Sequence, residues 1–251
     1  MAGATFAGFM GAIVGSFLNV VVYRLPRRES LVKPASHCPS CGTPVKPYDN
    51  IPVLSWMLLR GHCRSCGQSI SVRYPLVEAL TGALCVGAVL VHHTAAGMAL
   101  SLLVVVLVVP AALIDLEYKI IPNQLTAIGA VLAVLLGVAL DPSGEPARLI
   151  AGAAAGGFLL AAALAYPAGM GMGDVKLAGV LGLALGAAVA PAILVALLSG
   201  VLFGALVMAR RGVRDGRKSA VPFGPFLAFG ALFAVFLGHQ VLDAYVNNFL
   251  H

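Results

Sequence analysis

Two aspartates and two pairs of cysteines are the residues best placed to do chemistry. Asp174 sits in Met170-Gly171-Met172-Gly173-Asp174-Val175-Lys176, within a stretch that is otherwise almost continuous hydrocarbon from residue 151 to 209. Asp115 closes the apolar run 98–114. A charged side chain at the centre of a membrane helix costs roughly 2.5–3.5 kcal/mol, so such a residue either has a use or lies at a helix end in water. The glycines beside Asp174 let the backbone turn tightly and let another chain approach closely. Two carboxylates brought together at one membrane face cannot both ionise easily and share a proton. One then serves as the base that activates water. The other is the acid that protonates a scissile carbonyl and the leaving amine, and the apparent pKa values belong to the pair. The plain alternative makes each aspartate an interfacial cap, or a partner of Lys119 or Lys176. A second functional alternative is an ion or proton pathway of the kind found in transporters.

Cys38-Pro-Ser-Cys41 and Cys63-Arg-Ser-Cys66 are each Cys-x-x-Cys, with 21 residues between the pairs, and each is followed by a glycine, Gly42 or Gly67. This spacing predicts a four-cysteine zinc site. With four protein ligands the ion has no open position for water, so its role is structural. His37 and His62 each precede a cysteine and are alternative ligands. No strand–helix pattern of the thioredoxin kind surrounds the pairs, which disfavours a redox role. Cys85 lies in an apolar run and reads as a small buried hydrophobe.

The elements that must position these groups follow from composition. Of the 251 residues, 60% are hydrophobic and only 10% charged, far from the roughly 25% charged of a soluble domain. The chain is expected to be an all-α polytopic membrane protein. Its first span is 4–23, and further apolar runs lie at about 75–91, 97–114, 124–140, 149–166, 175–189, 191–209 and 222–246. That makes about eight transmembrane helices, with the boundary near Pro191 a turn or a kink. Basic residues follow the first run and none precedes it, the reverse of a signal peptide. Residues 24–73 are the one long polar segment, carrying six prolines, eight basic residues, the paired cysteines and the only tryptophan, Trp56. The expected division is therefore a first helix (1–23), a cytoplasmic zinc-binding insert (24–73) and a helical membrane domain (74–251). Glu78, just inside the second span, either faces the site or reaches the interface.

With the N-terminus outside, the inner segments hold Arg24, Arg27, Arg28, Lys33, Lys46, Arg60, Arg64, Arg73, Lys119, Lys176, Arg210, Arg211, Arg214, Arg217 and Lys218. The outer segments hold Arg148 alone, a split of 15 to 1 among the 16 basic residues. The positive-inside rule selects this orientation. It puts both aspartates and the insert on the cytoplasmic side, where a reducing environment disfavours disulfides. No basic helix stands apart from the membrane segments, so nucleic acid is not an expected partner.

In order along the chain come Gly15-Ser-Phe-Leu-Asn19, Tyr23-Arg-Leu-Pro26, His37-Cys-Pro-Ser-Cys41, Tyr48-Asp-Asn-Ile-Pro52, Leu59-Arg-Gly61 and Arg73-Tyr-Pro-Leu-Val-Glu78. Asp115 with Ile121-Pro122, Gly171-Met-Gly-Asp174-Val-Lys-Leu177 and Pro222-Phe-Gly-Pro-Phe226 complete the series. In these motifs the chain resembles the bacterial prepilin peptidases, the type IV leader peptidases of pilus and type II secretion systems, over nearly its whole length. The resemblance implies an aspartic endopeptidase of the cytoplasmic membrane. Its substrates would be prepilins and pseudopilins, cut after the glycine that ends a basic leader, with Asp115 and Asp174 as the catalytic pair. Because all four cysteines are present, it also implies N-methylation of the new N-terminus with S-adenosylmethionine as donor. The sequence contains no Gly-x-Gly-x-x-Gly turn to mark the donor's seat. Two rival readings carry their own expectations: a transporter would move ions in liposomes, and a zinc-bearing assembly scaffold would keep its function in the insert alone.

Overall fold

The computed structural model describes residues 2–166, 169–211 and 221–249. Arg214, Arg217 and Lys218, assigned above to an inner loop, lie outside the described residues. Among the described residues the protein is all helical, apart from two isolated bridges, His37 to Pro44 and His62 to Ser69. The chain divides into two compact units, Met1–Leu90 and Val91–His251.

The first unit holds α1 (Ala2–Arg24), the short α2 (Leu54–Leu58) and all but the last residue of α3 (Arg73–Val91). Glycines on α1 let α3 lie almost backbone to backbone against it. A Cβ at Gly15 would be 2.8 Å from the Glu78 Cα, and one at Gly11 would strike Cys85. This is the close helix approach that small residues permit where lipid offers no hydrophobic drive for association. Cys85 is buried there, as expected. Asn19 donates to the Tyr74 carbonyl at 3.2 Å, a polar link between the two helices.

The second unit holds α4 (Ala95–Tyr118), α5 (Asn123–Leu140), α6 (Glu145–Ala165), α7 (Met172–Leu185), α8 (Val189–Arg211) and α9 (Gly224–Phe249). The side chains of Val104, Val105, Val108, Ala111 and Ile114 on α4 are wholly enclosed, so this helix is a core element. The α6–α7 pair packs through glycines, and a Cβ at Gly182 would be 2.6 Å from the Gly152 Cα. At the far end of the α5–α6 hairpin, Arg148 is buried. It donates to Glu145 at 3.0 Å and Asp141 at 2.9 Å, and to the Gly137 carbonyl. Arg148, the cation that the basic-residue count assigned to an outer segment, therefore joins the two helices, satisfied by carboxylates three and seven positions away.

Among the described residues, seven helical segments are long and apolar enough to cross a membrane. One of them, Met172–Arg210, has 39 residues, roughly 58 Å if straight, against a hydrocarbon thickness of about 30 Å. It is not straight. Gly186, at φ +57°, starts a three-residue turn that separates α7 from α8. The eight expected runs are thus present as eight long helices, and the division falls at Gly186. Pro191 lies in the first turn of α8, where its missing N–H leaves no bond unmade. At 14 residues, about 21 Å, α7 is shorter than a bilayer core.

Candidate active site and metal centre

The chain brings three helix termini of the second unit to Asp115. This residue is in the last turn of α4, where its carbonyl accepts the N–H of Lys119, which closes the helix in the left-handed conformation. A short turn through Ile121 and Pro122 then leads into α5. The Asp115 side chain is 5% exposed, and its Oδ2 accepts the backbone N–H of Gly224 at 2.8 Å. Gly224 opens α9. Pro225 has no N–H to offer, and the next two amides, of Phe226 and Leu227, bond back to the Phe223 carbonyl. The Gly224 amide is therefore the donor that this helix start presents to the carboxylate.

Asp174 is the third residue of α7. Its Oδ2 accepts the N–H of Gly171 at 3.2 Å, tying the glycine turn to the helix that it begins. The residue is 8% exposed, and its Oδ1 is buried with no hydrogen-bond partner. Gly173 lies against Ile121 of the α4–α5 turn, 2.9 Å from a would-be Cβ, so the start of α7 is pressed onto the turn that follows Asp115. Asp174 and Asp115 are thereby carried on adjoining helix ends. Neither forms an ion pair among the described residues. Lys176, considered above as a partner, instead donates to Asn123 Oδ1 at 2.8 Å. Two buried acidic groups without cations, one with an oxygen facing no donor, can hold a shared proton and a water.

In the first unit the cysteine pairs form two matching knuckles. The N–H of Cys38 bonds to the Thr43 carbonyl and that of Gly42 to the Cys38 carbonyl; Cys63, Gln68 and Gly67 repeat the pattern. Gly42 and Gly67 sit at φ +69° and +70°, a region that costs L-residues and not glycine. The four sulfurs lie within 4.8 Å of one another, with Cys38 and Cys66 at 3.8 Å. Zinc–sulfur bonds of about 2.3 Å in a tetrahedron imply sulfur separations of about 3.8 Å, so the cluster fits that ion. No cysteine is bridged. Hydrogen bonds to Thr43 draw the Cys41 thiol down to about 6, whereas Cys66, with burial and the other three sulfurs against it, is pushed up to about 12, so the metal-free cluster shares protons among its sulfurs. His37 and His62 stand outside the cluster.

Glu78 links two parts of the first unit. Its Oε2 accepts the N–H of Val53 at 2.7 Å, fastening the insert to α3. The contact to Asp115 that sequence reasoning did not identify is Gly224. Its signal was the Pro222-Phe-Gly-Pro-Phe226 segment, visible as a motif but without a side chain to suggest its role.

Comparison with known proteins agrees across both units. Residues 9–92 match the Bacterial Peptidase A24 N-terminal domain, and residues 100–209 match the Type IV leader peptidase family. Among similar proteins is a prepilin leader peptidase/N-methyltransferase of Myxococcus xanthus (strain DK1622), 40% identical over 72% of this chain. The match spans 56% of that protein's own length. Proteins of the same description from Aeromonas hydrophila and Dichelobacter nodosus are 35% and 32% identical. Each alignment spans 95% of this chain, with 92% and 93% of the relatives covered. No solved structure matches the chain.

Proposed function

The chain belongs to the type IV leader peptidase family, and from that premise we propose that it is an aspartic endopeptidase of the bacterial inner membrane. It cleaves type IV prepilins and pseudopilins after the leader glycine, and it N-methylates the residue thereby exposed. The observation that carries the peptidase reading is the pair of buried carboxylates, Asp115 and Asp174, at the ends of α4 and α7.

In this mechanism one carboxylate takes a proton from water as the water attacks the scissile carbonyl. The other, protonated, donates to the carbonyl oxygen to give a diol; as the C–N bond breaks, the proton taken from water passes to the departing amine and a diol hydroxyl returns its proton, restoring the shared one. The Gly224 amide holds Asp115 so that its second oxygen turns to substrate, and the Gly171 amide does the same for Asp174. The apolar helix of a prepilin lies in the bilayer, and its leader lies in the cytosol. The 15-to-1 distribution of basic residues supports an N-terminus outside and puts both aspartates at the inner interface, where the cut must fall.

Zinc, held by Cys38, Cys41, Cys63 and Cys66, keeps the insert folded and takes no part in bond breaking. Residues 24–73 form that insert and 74–251 the peptidase domain. S-adenosylmethionine supplies the methyl group.

The test is to incubate purified protein with a peptide spanning the leader junction. Mass spectrometry should show the leader removed, and with S-adenosylmethionine the product should gain the mass of one methyl group. An intact peptide under conditions where the protein stays folded would defeat the peptidase assignment.

A second expectation concerns Gly224. A Cβ there would be 2.7 Å from Asp115 Oδ2. Gly224→Ala should lower kcat about 10²-fold, the scale of a misplaced reacting group, with KM nearly unchanged. Rates over a range of peptide concentrations give both constants, and a wild-type kcat would show that the amide does not position the carboxylate.

A further inference from the structure

The insert carries the charge of the molecule. Residues 24–73 contain eight basic and two acidic residues, a net +6 that equals the net charge of the whole chain. Within it, the pattern Leu54-x-x-Met57-Leu58 places three apolar side chains on one face of a single helical turn. The structure turns the opposite face inward. Ser55 donates to the Tyr48 carbonyl at 2.9 Å, and the Trp56 indole N–H bonds to the Ile70 carbonyl at 3.0 Å with its ring against Gly61. Leu54, Met57 and Leu58 are left 57%, 62% and 82% exposed. With the exposed Ile51 just before them, they form an apolar patch on an otherwise polar segment, and such a patch needs an occupant.

The height of this patch along α1 identifies the occupant. Gly15 lies against Glu78, nine residues before Arg24 at the end of α1, or about 13 Å back along the helix. The Glu78 carboxylate holds the N–H of Val53, the residue before Leu54. A groove is walled on one side by Ile13, Phe17 and Val20 of α1 and on the other by Val32, Asn50 and Pro52 of the insert. The insert therefore runs beside the last part of a membrane-spanning helix. At this height the outward side chains of the two spans, Phe17 on α1 and Leu76 and Leu80 on α3, are exposed and apolar.

We propose that the Leu54–Met57–Leu58 face of α2 is seated in the bilayer at the boundary of headgroups and acyl chains, continuous with the lipid-facing surfaces of α1 and α3. The exposed basic residues Lys46 and Arg60 then meet anionic headgroups. The contact would hold the zinc knuckles at a fixed height against the membrane. This inference does not depend on the catalytic reading.

Trp56 is the only tryptophan in the chain and lies in α2 itself, so all tryptophan emission reports on this turn. Zinc-loaded full-length protein is reconstituted in phosphatidylcholine–phosphatidylglycerol vesicles, with and without bromine on the acyl chains. Emission should fall about twofold with the brominated lipid, because Trp56, though its ring packs inward against Gly61, sits on the same single turn as the seated side chains, within about one helix diameter of the acyl chains. Leu58→Ser and the triple variant Leu54→Ser, Met57→Ser, Leu58→Ser should progressively lose that quenching and become open to acrylamide. Zinc content would verify that each variant keeps its fold, and the wild-type measurement stands without them. Emission indifferent to bromine but quenched by acrylamide would overturn the proposal. So would emission shielded from acrylamide only when a prepilin peptide is added, which would give the face to a protein partner.

Discussion

Asp115→Asn and Asp174→Asn are each expected to lower leader cleavage by at least about 10³-fold, and the double variant is expected to be no worse than either alone. The reasoning starts from geometry. Asparagine keeps the size of the side chain and an oxygen that can still accept the Gly224 or Gly171 amide. The helix ends should therefore stay where they are, and what is lost is the capacity to exchange a proton. A pair that shares one proton acts as a unit, so removing either member removes both the base and the acid. Two independent interfacial caps behave differently: their effects are small and add. Cleavage rates for the four proteins, with far-UV circular dichroism to verify folding, separate the cases. Full activity in either single variant, or a double variant much worse than both, would end the two-carboxylate mechanism.

The two aspartates stood out in the sequence because each is a charge at the edge of a long apolar run. The cysteine knuckles were legible for the same reason: ligand spacing and the following glycine are short-range features, and Gly42 and Gly67 do adopt the left-handed turn. The contacts that needed the fold are those between distant positions or through the backbone. Gly224 and Asp115 are 109 positions apart and meet through an amide, a donor that every non-proline residue has and that no sequence pattern distinguishes. Glu78 was read as facing the site or reaching the interface, and neither reading pointed to its bond with the backbone of Val53, in a loop of no regular period. Arg148 was counted only as the lone outer cation. Yet Asp141 and Glu145 stood within one or two helical turns of it, a spacing that could have shown the buried cluster. The α7–α8 division was visible as an interruption near Pro191. Proline suits a helix start as well as a kink, and the break belongs to Gly186.

Removing zinc is expected to unfold the insert and leave the membrane helices in place. Between Leu25 and Val72 only Cys38, Ser55 and Gly61 are buried, so this segment has no apolar core able to offset the entropy of ordering some fifty residues. Its internal bonds join short turns and loops, among them the Arg64–Asp49 pair, the Trp56 indole bond, the Ser55–Tyr48 bond and the two knuckles. The Arg64–Asp49 pair involves a half-exposed arginine, and such pairs contribute roughly 0–1 kcal/mol. Zinc bound by four thiolates is worth far more, about 10–16 kcal/mol in small zinc-binding peptides, and that free energy is folding free energy. A chelator, or Cys38→Ser, should therefore make the insert sensitive to protease and shift Trp56 emission to longer wavelength. Helical circular dichroism should change little, because α1 and α3–α9 carry nearly all the helix. Metal analysis of purified protein should find one zinc per chain, lost in Cys38→Ser and kept in Cys85→Ser, since Cys85 packs against Gly11 and is not in the cluster. A protease-resistant insert in protein shown to be free of metal would mean that the knuckles hold themselves together and that the four cysteines have some other use.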